Sequence, residues 1–333
     1  MFDKKFCLSL LIYLRSHFTS TARSLREGVQ SMIHLTGLGK MRPNTVVMGF
    51  KKNWTDKRYL SEVVDYLGVI NDVFEHRYGL VILRMNDEQK KKFIVETVDE
   101  SSSSDSDSII DEDEYSKPKR SSVAKRSTKE ERESLTSPEK TSEPTSESSP
   151  TPEVKIALKE KQSGTIDVWW LYDDGGLTVL LPYLLTLHRA WKKCKLRFFS
   201  ANIRSKHEVN PQGLRMANLL KKFRFDASCV EQVEVNEPPS KESIDAFRRL
   251  PVKEELGEEP IKDQKVLRTI RIGELVRKHC SADTRLVVIS IPVPVTDVTT
   301  PLMYMSWLEV MSADLPPVLL VRGNQTNVLT FYS

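Results

Sequence analysis

Gly164-Thr-Ile-Asp-Val-Trp-Trp-Leu-Tyr-Asp-Asp-Gly-Gly-Leu-Thr178 runs straight into the apolar segment Val179–Leu187. A β-rich run ending in paired tryptophans meets two acids and two glycines, and an apolar stretch of helical length follows. Strand, tight turn and helix in that order are the first unit of a parallel α/β sheet. Trp169 and Trp170 alternate across the strand, so helices must cover both faces of the sheet. The turn lies at the carboxyl end of a strand, where open α/β sheets bind ligands. Its glycines would let a phosphate approach the helix amides. Asp173 and Asp174 beside them would repel it, so an acidic helix N-terminus at a structural turn competes with that reading.

Outward from this unit, residues 164–333 continue as alternating strands and helices. Strands are predicted at 165–172, 195–200, 230–235, 285–291 and 317–322, and helices near 177–191, 211–223, 240–249, 266–280 and 301–313. Thr300 is a good N-cap, with Pro301 at the first helical position. Pro182 should kink the helix that contains it. Gly323-Asn324 permits a turn into a last antiparallel edge strand, Val328–Tyr332. The pattern predicts a doubly wound α/β sandwich.

Residues 16–98 form a second compact unit. Leu25, Val29, Met32 and Ile33 share one face of a helix over Ser24–Ile33, and Gly37 follows as its terminator. Thr45–Phe50 is a strand, Tyr59–Phe74 a helix and Gly79–Arg84 a strand. Residues 99–163 differ in kind: serines among acids, then the basic run Lys117–Arg126, then a Ser/Thr/Pro/Glu tract. Such a segment buries too little apolar surface to offset its ordering entropy and is expected to be a disordered linker. Ser104 and Ser106 suit an acid-directed kinase; Ser137 and Ser149, each before proline, suit a proline-directed one. A solvated spacer with incidental sites explains the same composition, and the short basic run carries little weight as a nuclear signal.

Composition excludes several classes. The 50 basic and 46 acidic residues leave a net charge of only +4, against a dedicated nucleic-acid binder. Cys7, Cys194, Cys229 and Cys280 are scattered with no Cys-x-x-Cys pair, and the histidines lack ligand spacing, so neither a disulfide framework nor a zinc site is expected. No Gly-x-x-x-x-Gly-Lys-Ser/Thr, full Gly-x-Gly-x-x-Gly or Gly-x-Ser-x-Gly motif occurs, which leaves an enzyme without a constellation. His188 and Trp191 read as surface and core of a helix. No segment has the ~18 apolar residues that a membrane span needs. Phe6–Leu14 after Lys4-Lys5 mimics a signal peptide, but Arg15 and His17 interrupt it, and a packed helix fits as well.

Several blocks together resemble the cytoplasmic C-terminal domain of the cation-chloride cotransporters. Gly164–Thr178 with Leu181-Pro-Tyr-Leu-Leu185 is similar to a block of the sodium-driven branch, the sodium-potassium-chloride and sodium-chloride symporters. So are Leu219-Leu-Lys-Lys-Phe-Arg224, Tyr304-Met-Ser-Trp-Leu-Glu309, Leu315–Asn324 and Val328–Ser333. In the first unit, Gly37–Thr45 and Gly49-Phe-Lys-Lys-Asn-Trp54 match too, whereas residues 1–15 match nothing recognised.

The resemblance implies two subdomains with mainly parallel sheets flanked by helices, like universal stress proteins, joined by the linker. It implies a homodimer at the cytoplasmic face of the plasma membrane, acting on a transport domain and open to regulatory kinases. It also implies that the chain, without that transport domain, carries no ions. Ser200-Ala201-Asn202 stands where the family has Gly-Gly, and the 250–265 loop is shorter than usual. Some members hold a nucleotide, which makes Gly37, Gly39, Gly49, Gly175 and Gly176 candidate contacts for ATP; no cofactor is otherwise expected. A free-standing nucleotide-binding module of stress-protein type is the alternative.

Overall fold

The computed structural model describes residues 21–37, 42–98, 154–158, 161–202, 211–222, 225, 230–252, 263–295, 298–326 and 328. Ser104, Ser106, Ser137, Ser149 and Gly39 lie outside them, as do residues 1–15 and, apart from Val328, the expected last strand.

In chain order the elements are α1 (Leu25–Leu35), β1 (Thr45–Gly49), α2 (Leu60–Glu75), β2 (Gly79–Arg84), α3 (Asp87–Phe93), β3 (Ile94–Val98) and β4 (Val154–Leu158). They continue as β5 (Ser163–Trp170), α4 (Leu177–Leu187), β6 (Lys193–Asn202), α5 (Pro211–Lys222), β7 (Val230–Glu234) and α6 (Lys241–Arg248). The chain ends with α7 (Gln264–His279), β8 (Thr284–Ser290), α8 (Pro301–Ser312) and β9 (Val318–Arg322). Local chemistry accounts for the helix starts. Ser24, Ser240, Asp263 and Thr300 are N-caps whose side chains accept from amides of the first turn. Gly37, just past α1, has φ +77°, as a helix terminator requires.

Seven strands form one sheet in the order β1-β2-β9-β8-β5-β6-β7. Every neighbouring pair is parallel except β2 with β9. This is the mainly parallel, helix-flanked α/β architecture the sequence implies, with one difference. The strands of 16–98 do not close a sheet of their own: β2 pairs antiparallel with β9, from Leu80 opposite Arg322 to Arg84 opposite Val318. The reason is burial. Leu80, Val81 and Ile82 are all buried, and a central β2 needs a neighbour on its free side; β9 supplies it.

Helices cover both faces. On one, Trp169, Leu171, Phe199, Val287, Ile289, Val318 and Leu320 pack with α2, α7 and α8. On the other, Ile166, Val168, Trp170, Phe198, Val288 and Val321 pack with Val179 of α4 and Met216, Leu219 and Leu220 of α5. The two tryptophans thus serve opposite cores, and Trp169 stacks on Phe199 with ring centroids 4.5 Å apart.

Two further differences have local causes. The α4 helix stops at Leu187 rather than continuing to 191, because His188 turns extended (φ −77°, ψ 137°). That turn leaves His188 exposed and Trp191 buried. Within the expected linker, Val154–Leu158 is a strand that pairs with Ile94–Val98 in a two-stranded sheet. Val154, Ile156 and Leu158 alternate with Lys155 and Ala157, the period-two pattern of a strand.

Candidate functional site

Chain direction locates the site. From β5 the chain moves through α4 and α5 to β6 and β7, then returns on the opposite face through α6 and α7 to β8. Strand order therefore reverses between β5 and β8. The crevice outside their carboxyl ends is the switch point, the default ligand site of such a sheet. It is bounded by Leu171–Gly176 after β5, by Ser290 and Ile291 at the end of β8, and by Arg322 at the end of β9.

Self-satisfied groups dominate this end of the sheet. The Ser290 hydroxyl accepts from the backbone amides of Leu171 (2.7 Å) and Tyr172 (3.0 Å), which ties β5 to β8. Asp174 is fully buried. One carboxylate oxygen accepts from the Gly176 amide at 3.0 Å, the other from the Thr178 amide at 3.0 Å and the Thr178 hydroxyl at 2.5 Å. A helix N-terminus attracts an anion through unpaired amides and the positive end of its dipole. At α4 that anion is Asp174 itself.

The glycines of the turn are also occupied. A Cβ on Gly175 would lie 2.1 Å from the Thr326 carbonyl oxygen, and one on Gly176 2.8 Å from Leu219. Val328 donates its amide to the Gly175 carbonyl at 3.1 Å, so the residues after β9 lie against the turn. Gly175 and Gly176 meet protein, where a cradle for phosphate would need open space.

Of the remaining candidate glycines, Gly37 and Gly49 lie among the described residues. Gly37 follows α1. Gly49 ends β1, which runs opposite to β5, so the two strand ends lie at opposite ends of the sheet. A Cβ on Gly49 would meet nothing within 4 Å. The structure does not bring Gly49 together with Gly175 and Gly176.

Charged groups are distributed asymmetrically. At the start of the parallel strands, Arg197 forks onto the buried carboxylate of Asp167 (2.8 and 2.6 Å) and reaches the His279 carbonyl at the end of α7 (3.1 Å). At the switch point, Arg322 has no such partner among the described residues. It is 7% exposed, its Nε lacks a hydrogen bond, and its Nη1 makes only a 3.4 Å contact with the Ile291 carbonyl. Burial pushes its pKa down, against the fields of Asp174, Tyr304, Tyr172 and Asp173. The sequence flagged the turn by its glycines and gave Arg322 no role. The available signal was an arginine closing the apolar strand Val318-Leu-Leu-Val321. Among the described residues, no helix is long and apolar enough to cross a membrane.

The fold and site define a class: an α/β sandwich whose switch point is largely filled by its own side chains and by the segment after its last strand. The particular family comes from sequence. The model of "Solute carrier family 12" matches residues 14–333, and the chain belongs to that family. It is similar to solute carrier family 12 member 1 of Rattus norvegicus, 36% identical over 351 residues, which covers 94% of this chain and 32% of the relative. Member 2 of Squalus acanthias is 34% identical over 367 residues, covering 94% and 30%. Member 2 of Homo sapiens is 35% identical over 359 residues, covering 94% and 29%. The chain thus spans about a third of the length of the curated relatives it matches. A solved structure described as the cytoplasmic domain of a prokaryotic cation chloride cotransporter aligns with 90% of this chain and 70% of its own, at 9% identity and a TM-score of 0.38.

Proposed function

We propose that this chain is the cytoplasmic regulatory and dimerising domain of an electroneutral sodium-(potassium)-chloride cotransporter, and that it carries no ions itself. The observation that carries the reading is the family match across both compact segments, 14–333, at about a third of the relatives' length. Among the described residues no helix is long and apolar enough to cross a membrane, as a transport pathway would require. In the parent protein the domain would sit at the cytoplasmic face of the plasma membrane, next to the transport domain. Its serine-rich stretch would offer kinase sites at Ser104, Ser106, Ser137 and Ser149. Its work is contact between proteins and not catalysis, which fits a switch point occupied by Asp174 and Ser290.

Two readouts on the purified chain test this. Light scattering on a sizing column should give a dimer mass at micromolar concentration; a monomer at every concentration contradicts the dimerising role. Liposomes containing the chain alone should show no chloride-dependent sodium uptake, and measurable uptake overturns the division of labour.

A further inference from the structure

Two histidines that lie far apart in the sequence, His34 and His76, meet at the surface of the first segment. Arg26 of α1 forks onto the Asp72 carboxylate of α2 (2.8 and 2.7 Å), and Gln30 joins it at 2.9 Å. One turn further along each helix, the His34 and His76 rings have centroids 5.1 Å apart and planes at 78°. Contacts that advance together along both helices mean that α1 and α2 run side by side in the same direction. His34 stands in the last turn of α1 and His76 is the C-cap of α2, so both rings sit where the helices end. Both are exposed, and solutes can reach them.

The chemistry of the pair is that of metal ligands. His76 Nδ1 lies 2.8 Å from the Asp72 carbonyl oxygen. A carbonyl only accepts, so Nδ1 carries the proton and the neutral ring presents its lone pair at Nε2. A backbone carbonyl behind one ring nitrogen is the arrangement that fixes tautomer and orientation in metal-bound histidines. Two imidazoles on one tetrahedral ion, with metal–nitrogen bonds of about 2.0–2.1 Å, have ring centroids roughly 5 Å apart. The observed separation matches, so the helix backbones are already placed for a shared ion. Imidazole suits zinc, copper and nickel, and the negative ends of two helix dipoles favour a cation. Among the described residues no cluster of three His, Cys, Asp or Glu side chains forms, which leaves water for the other coordination positions.

We propose that His34 and His76 form a surface site for a divalent transition-metal ion of the zinc class, which clamps the end of α1 to the end of α2. Neither histidine has ligand spacing in the sequence; the site exists because α1 packs on α2. It uses none of the switch-point residues and stands whether or not the chain dimerises or regulates a transporter.

Calorimetric titration of the full chain at about pH 7.5, where imidazole is mostly neutral, tests it with zinc chloride and magnesium chloride as separate titrants. Zinc should bind and raise the melting temperature, because a ligand of the folded state stabilises it; magnesium, which prefers oxygen ligands, should do neither. H34Q and H76Q should each weaken zinc binding at least about tenfold, since disturbing only the hydrogen-bond partner of a metal-bound histidine costs roughly 10–100-fold. Zinc binding should fade as the pH falls to about 5.5, because protons compete for the imidazole lone pairs. H188Q removes another exposed histidine and should bind zinc like the parent. In the unaltered chain, zinc should protect His34 and His76, but not His188, from diethylpyrocarbonate. No zinc binding, an equal response to magnesium, binding that H34Q or H76Q leaves unchanged, loss of binding in H188Q, or protection of neither ring would overturn the site and leave an edge-to-face contact between two rings.

Discussion

A carboxylate with no exposure needs a donor for each oxygen, and Asp174 has three, all from the first turn of α4. Glu274 shows the same economy on α7. It accepts from the Ser240 amide at 2.7 Å and from Arg271 at 3.0 Å, which joins the cap of α6 to α7. Burial raises its pKa, but hydrogen bonds from Ser240, Ser243 and Arg271 outweigh that and hold it at about 2, against an ordinary 4.5. A carboxyl depressed in the folded state stabilises above its unfolded pKa. Its contribution should therefore be complete above pH 4.5 and disappear as pH falls toward about 2. Denaturant titrations across that window should show the loss in the parent protein and a flatter profile in E274Q. At neutral pH, E274Q should be less stable by about 1–3 kcal/mol. An unchanged pH profile in E274Q would remove Glu274 from the account.

At the scale of elements, α7 and α8 cross at Gly273. A Cβ there would lie 2.3 Å from the Val310 carbonyl oxygen, and Arg277 donates to that same carbonyl at 2.9 Å. Alanine in the middle of an exposed helix normally gains up to about 1 kcal/mol over glycine. At this crossing the sign should reverse, because the close approach of backbone to backbone leaves no room for a methyl group. G273A should lower the denaturation midpoint; a stabilised variant would show that the helices are farther apart.

Most elements were legible in the sequence. Those of 164–322 follow from continuous apolar runs such as Leu286–Ile289 and from caps such as Thr300, because burial on both faces and amide capping are local requirements. Pairing partners were not legible. That β2 adjoins β9 depends on residues more than two hundred positions apart, and no local pattern records it. The candidate site divides in the same way. The turn at Asp173–Gly176 was visible as a motif. Its contents, a carboxylate turned onto its own helix and Thr326 lying against Gly175, required the chain to be folded. Arg322 was invisible as a site residue because a lone arginine at a strand end has no spacing to read.

At the scale of the molecule, residues from both sides of the serine-rich segment make one hydrophobic core. Val63, Ile70, Leu80 and Ile82 belong to the same buried cluster as Trp169, Tyr304 and Leu320. Arg84 pairs with Glu309 at 2.6 Å, and Glu309 also accepts from the indole of the buried Trp54 at 3.0 Å. A surface that dimerises or docks would thus be carried by one folded body to which both segments contribute. The edges of its sheet are β1 and β7. Edge strands expose unpaired amides, so β1 should exchange faster than β2.

The β2–β9 pairing joins the two segments into one sheet, and a cross-link tests it directly. Leu83 and Leu319 are register partners on the sheet face opposite Arg322. Directly opposed strand residues have Cβ atoms roughly 4.5–5.5 Å apart, near enough for a disulfide to form with little movement. L83C/L319C should oxidise readily. After proteolysis within 99–153, the two fragments should migrate together without reductant and separate with it, while L83C alone should give separate fragments under both conditions. Fragments of the oxidised double variant that separate without reductant would contradict the single sheet.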